Sequence, residues 1–167
     1  PPGSVLVGGH DVREYELAGL RSVVRMVPQD TFLFSTSIRE NIAFGAADGE
    51  TAELEEAASI STIQRDLGSF PQGWETVVGE RGVTLSGGQK QRVALSRALA
   101  AKASIYILDD AMSSVDTGTE EAILNRLLPR LKGSTVILVS HRVSTLRNAD
   151  RIVVLEAGRV TQEGTHA

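Results

Sequence analysis

The 167-residue chain contains no cysteine. That excludes disulfides and thiolate-held metal sites, and it is in keeping with a reducing compartment. No apolar run approaches the ~18 residues of a membrane-spanning helix. The chain opens Pro1-Pro2-Gly3, without the basic and apolar regions of a signal peptide. It carries no initiator Met, and it closes on Thr165-His166-Ala167 without a terminal motif, so it reads as a fragment of something longer. There is no basic block and the net charge is −4, so nucleic acid is not a favoured partner. No internal repeat or low-complexity segment is present. What remains is 41% hydrophobic residues in a chain the length of one domain, enough for a real core.

The organising stretch runs from Leu85 to Asp116. Ser86 is a good N-cap, and Gln89 three residues on completes an S-x-x-Q capping box. Gly87 and Gly88 leave the first helical turn without side chains, so a phosphate could approach the bare backbone N–H groups. Alone, this also reads as an ordinary capped amphipathic helix reaching to about Lys102, with Ala94, Leu95, Ala98, Leu99 and Ala101 as its apolar stripe. Two glycines are a costly helix start, which is itself a sign that something comes close. Ile105-Tyr106-Ile107-Leu108 is then an unbroken apolar run, as expected for a parallel strand covered on both faces. It ends in Asp109-Asp110, two carboxylates that are expensive there unless a cation or hydrogen bonds stabilise them. Strand neighbours point to opposite faces, so one Asp can hold Mg²⁺ through water while the other faces an attacking water. Ser113-Ser114-Val115-Asp116 follows.

Leu85-Ser86-Gly87-Gly88-Gln89 as a signature motif, residues 105–109 as a Walker B strand and residues 113–116 as a D-loop resemble the nucleotide-binding domain of ATP-binding cassette (ABC) proteins. The resemblance covers essentially the whole chain. It implies an α/β fold, a P-loop NTPase (RecA-like) core with a mostly parallel sheet plus the ABC α-helical subdomain. Residues 1–36 and 101–167 would form the core, and 37–100 the subdomain. It implies ATP and Mg²⁺ as cofactors. It assigns catalytic roles to Asp110, His141 and Gln29, nucleotide contacts to Ser86, Gly87, Gly88, Gln89, Asp109 and Asp116, and metal contacts to Asp109 and Gln29.

The rest of the chain is read in order. Residues 4–7 and 23–27 are strand candidates, the first ending at the Gly8-Gly9 turn. Gln29 beside Pro28 would by itself be a surface loop residue, but it resembles the family's Q-loop glutamine. Helices are expected over 37–43, 51–60 and 62–67, and an irregular stretch around Phe70, Pro71 and Trp74. Thr117 and Glu120 read as a capping box opening a helix over 117–131. Residues 135–139 form another buried strand, ending at Ser140-His141-Arg142, where His141 resembles the H-loop histidine. A short helix over 143–148 and a hairpin around Ala157-Gly158 close the chain.

Two segments resemble those of exporters. Phe32, Leu33 and Phe34, before the helix at 37–43, match the region beside the coupling helices of the membrane domain, and Glu80-Arg81 match the X-loop. The resemblance therefore implies a second ABC domain and a transmembrane domain as partners. It also implies residence at the cytoplasmic face of a membrane. Two departures stand out. No G-x-x-x-x-G-K-[ST] loop occurs, which the reading assigns to truncation at the N-terminus. Asp110 stands where the family usually has Glu, as in a degenerate half of a heterodimeric exporter. The expected function is ATP hydrolysis powering export. The alternatives are a mainly regulatory nucleotide-binding half and a soluble ABC ATPase.

Overall fold

The computed structural model describes residues 3, 5–46, 51–79 and 82–166. Two short strands, β1 (Leu6–Val7) and β2 (His10–Asp11), pair antiparallel across Gly8-Gly9. Helix α1 (Leu17–Val23), which the sequence reading did not anticipate, leads directly into β3 (Val24–Val27). Then come α2 (Ile38–Ala43), α3 (Thr51–Ile60), α4 (Gln64–Leu67) and α5 (Gly87–Ala100). After α5 follow β4 (Ile105–Asp109), α6 (Thr117–Arg130), β5 (Thr135–Val139) and α7 (Val143–Leu146). A terminal hairpin is formed by β6 (Ile152–Glu156) and β7 (Arg159–Gly164).

The centre is a parallel sheet of order β3-β4-β5, with Val27 opposite Leu108 and Leu108 opposite Leu138. Parallel neighbours need long crossovers. One carries α2 to α5 and the other carries α6. Val27, Tyr106 and Leu108 point to one face and are buried with Val93, Leu95, Ile123 and Leu127 in a single aliphatic cluster. The buried Tyr106 hydroxyl donates to the Ala101 carbonyl (3.0 Å) and accepts from the Ala103 N–H (3.1 Å), so its polar atom is satisfied.

The expectation of strands covered on both faces is corrected here. β4 alternates buried and half-buried residues, and β5 alternates exposed and half-buried ones. Met26, Ile137 and Val139 lie about half exposed on the second face. Among the described residues, the helices that bury apolar side chains against the sheet all serve the first face. An apolar strand run therefore did not by itself settle how many faces are covered.

Local signals explain most element boundaries. Ser37 caps α2 and Glu40 reaches back to it, a complete capping box. Thr62 adopts φ +65°, which stops the helix expected over 62–67 from starting before Gln64. Ala157 and Gly158 both take positive φ, +48° and +75°, as a two-residue hairpin turn requires. No helix among the described residues is long and apolar enough to cross a membrane.

Candidate functional site

The start of α5 forms as the sequence indicates. The Ser86 hydroxyl accepts from the Gln89 N–H (3.2 Å), and the Gln89 side-chain oxygen accepts from the Ser86 N–H (2.9 Å). The Gln89 amide nitrogen donates to Asp66 Oδ1 (3.0 Å), and Arg92 pairs with the same carboxylate at 2.5 Å. Gln89 therefore spends its side chain orienting α5 against α4. Ser86 and Gly87 remain exposed at the helix start.

The glycine pair has a second physical reason, beyond room for a phosphate. A Cβ on Gly88 would lie 2.8 Å from the Ser114 carbonyl oxygen, and one on Gly87 3.2 Å from the Ser114 Cβ and Oγ. The close approach comes from within the chain: segment 113–115 packs on the first turn of α5. Gln91, nearly fully buried, fastens the two together. Its amide nitrogen donates to Ser113 Oγ (2.8 Å) and its oxygen accepts from the Ser114 N–H (2.8 Å). Sequence reasoning missed Gln91. The available signal was a polar residue on the same face as Ala94, Leu95 and Ala98.

At the far end of β4, Asp109 pairs in register with Val139 on the half-exposed second face of the sheet. Among the described residues, no hydrogen bond or ion pair engages its carboxylate. Asp110 leaves the strand with φ +43°, a left-handed conformation that Asp tolerates better than most residues. Its N–H still donates to the Val139 carbonyl (2.9 Å). Its side-chain Oδ1 lies 3.2 Å from His141 Nδ1. Two residues 31 positions apart thus meet at the carboxyl ends of adjacent parallel strands, the usual place for a site in such sheets.

Gln29 is exposed in the loop after β3 and lies at the same end of the sheet. Asp116 is the N-cap of α6, accepting from the Thr119 N–H (2.9 Å). Hydrogen bonds from Thr119 hold its carboxyl below the usual range. This corrects the expected Thr117/Glu120 capping box: the cap sits one residue earlier. Glu120 is instead buried, accepting from Thr145, Ser144 and Arg142. Burial alone would raise the Glu120 pKa, but the Thr145 and Arg142 hydrogen bonds, the Arg142 charge and Ser144 outweigh it and hold the group below its ordinary value.

Phe32 is exposed and meets Phe34 edge-on at 5.1 Å; Phe34 in turn meets Phe44 at 4.5 Å. Leu33 turns inward to the core, so the exposed apolar patch is Phe32 and Phe44 flanking Phe34. Arg97 steadies this loop by donating to the Phe32 carbonyl (2.9 Å) and to Asn41, while stacking over Phe34. Burial pulls the Arg97 pKa down. Glu80-Arg81 lie outside the described residues.

The donor set suits a phosphate and a hard cation only in part. Among the described residues no three carboxylate or imidazole groups cluster to hold a metal by themselves. Asp109 offers an uncommitted carboxylate, which fits a cation that keeps most of its waters and its phosphate ligands. The exposed, glycine-opened start of α5 fits an anionic group.

A parallel α/β sheet with a carboxylate–histidine pair at its strand ends, and a glycine-opened helix beside it, fits the fold of P-loop-type nucleotide triphosphatases. The comparisons make this specific. A family model described as ABC transporter matches residues 1–113. The chain is 44% identical over 165 residues to ABC transporter B family member 1 of Arabidopsis thaliana, covering 99% of this chain and 13% of that protein. It is 43% identical over 164 residues to the ATP-dependent lipid A-core flippase of Syntrophus aciditrophicus, covering 98% of this chain and 27% of that protein. Its fold matches a bacterial Atm1-family ABC exporter solved with ATP bound, at TM-score 0.90 and 40% identity, over 96% of this chain and 28% of that one. The chain belongs to the ABC transporter family and has the fold of its ATPase domain. It spans less than a third of the length of each of these relatives.

Proposed function

We propose that this chain is the ATP-binding and ATP-hydrolysing module of an ABC exporter, working head to tail with a second ABC domain at the cytoplasmic face of a membrane. The observation that carries this reading is the Asp110–His141 pair at the ends of β4 and β5. Segment 113–116 joins that pair to the α5 start. Asp109 and Gln29 would hold Mg²⁺, which supplies charge neutralisation on the phosphates when bound. Asp110 would orient the attacking water, and His141 would contact the terminal phosphate. Ser86, Gly87, Gly88, Gln89 and Asp116 would complete the site of the second domain through the helix N-terminus and its exposed N–H groups. Phe32, Phe34 and Phe44 support docking of a membrane domain, with Glu80-Arg81 as a further contact.

One feature favours a second reading, a degenerate half of a heterodimer. The Asp110 carboxylate is one methylene shorter than Glu, on a backbone at φ +43°, and it already contacts His141. Mispositioning by ~1 Å can cost ~10²-fold in rate.

The test is ATP turnover of the full-length transporter with Ser86→Arg. The long arginine side chain would fill the space over the α5 start, and the Ser86 hydroxyl that caps the Gln89 N–H would be lost, so turnover should fall to near background. Turnover close to that of the unaltered transporter would refute the head-to-tail reading.

A further inference from the structure

We propose that Arg142 is a positioning residue for hydrolysis, tying the His141 loop to segment 113–116 so that both move as one unit. The inference rests on the ATPase reading above and extends it to a residue with no assigned role.

Arg142 follows His141 directly. Its guanidinium is shared among three acceptors. One nitrogen donates to the Val115 carbonyl (2.9 Å) and to Glu120; the other donates to the Ser113 carbonyl (2.7 Å). The planar fork of arginine can address all three at once, whereas a lysine ammonium acts as a single point charge. Glu120 is 1% exposed, so the ion pair is sheltered from solvent and its geometry is fixed by Thr145 and Ser144. The Arg142 N–H also donates to Ser140 Oγ (3.1 Å), which stiffens the turn that carries His141.

From the opposite side, Gln91 of α5 holds Ser113 and Ser114. Segment 113–115 is therefore suspended between two side chains. Gln91 belongs to the helix offered to the second domain, and Arg142 belongs to the loop that carries this chain's own His141. A displacement at the α5 start must pull on Ser113, then on Arg142, then on His141 and its contact with Asp110. The same chain of contacts runs in reverse. Nothing in this chain needs Arg142 to touch nucleotide.

The experiment is steady-state ATPase of the full-length transporter with Arg142→Lys, which keeps a charge for Glu120 but loses the fork. A second variant, Arg142→Met with Glu120→Gln, removes both charges so that no buried carboxylate is left unpaired. Because small misplacements of reacting groups cost ~10-fold or more, kcat should fall about ten-fold in both. KM for Mg-ATP should stay within about two-fold, because the variants shift His141 without removing it and Arg142 makes no bond to Asp109 or Gln29. A lowered melting temperature with kcat per folded molecule unchanged would reduce Arg142 to a structural role and overturn the proposal. A raised KM with unchanged kcat would overturn it too, by making Arg142 a binding residue. If the unaltered transporter fails to hydrolyse Mg-ATP, the ATPase reading falls and this inference falls with it. Normal turnover in the unaltered transporter and in both variants would sink the Arg142 proposal alone.

Discussion

Replacing Gly88 by alanine tests why the α5 start is glycine-rich. If the only need were space for an approaching phosphate, either glycine would matter for turnover and neither for stability. The structure predicts otherwise. A Cβ at Gly88 would sit 2.8 Å from the Ser114 carbonyl oxygen, a backbone atom held in place by Gln91 and Arg142 on its neighbours. Overpacking of this kind costs about 1–3 kcal/mol. Alanine returns up to about 1 kcal/mol of helix propensity over glycine. The net is a destabilisation of about 1 kcal/mol, and for a domain of this size that lowers the melting temperature by about 2–4 °C. At Gly87 the nearest atoms are the Ser114 Cβ and Oγ at 3.2 Å, in an exposed residue that has to give by only a few tenths of an ångström. Gly87→Ala should therefore leave the melting temperature unchanged or slightly higher. The assay is calorimetry of the full-length protein, following the ATPase-domain transition, alongside turnover at saturating Mg-ATP. Gly88→Ala should also slow turnover by about ten-fold, because segment 113–115 must shift. A Gly88→Ala protein as stable as Gly87→Ala would refute the internal-packing explanation.

Two further outcomes follow from the site. Asp110→Asn separates the two readings of the site: total ATPase little changed in the full-length transporter would mark this chain as the degenerate half of a heterodimer. Loss of nearly all turnover in that variant would make Asp110 a working catalytic residue and the assembly symmetric. Glu120 gives a pH signature. Its folded pKa lies below its unfolded value of 4.5, so its contribution to stability is fully present above that value and is lost as pH falls below it. Glu120→Gln should flatten the acid limb of a stability-versus-pH curve below about pH 4.5, and an unchanged acid limb would remove Glu120 from the account.

How much of this was written in the sequence depends on the range of the interactions. The Ser86/Gln89 box and the Ala157-Gly158 turn involve residues within a few positions of each other, so the spacing of residue types settled them. The same short range misled at Asp116-Thr117-Gly118-Thr119-Glu120, where both Asp116 and Thr117 are acceptable caps. Only tertiary structure could decide, because it needed Glu120 in the interior opposite Arg142. Strand identity in β4 and β5 was legible from apolar runs, but their coverage was not, since burial on a face depends on which helices pack there. Asp110 and His141 could each be singled out as a strand-end polar residue, yet their 3.2 Å contact arises from the parallel register that sets Asp109 beside Val139. Gln91 showed only as a polar residue on an apolar helix face, and Arg142 carried no local signal of its role. Each became informative only when folding brought the backbone of 113–115 between them, where the Ser114 N–H donates to Gln91 and the Ser113 and Val115 carbonyls accept from Arg142.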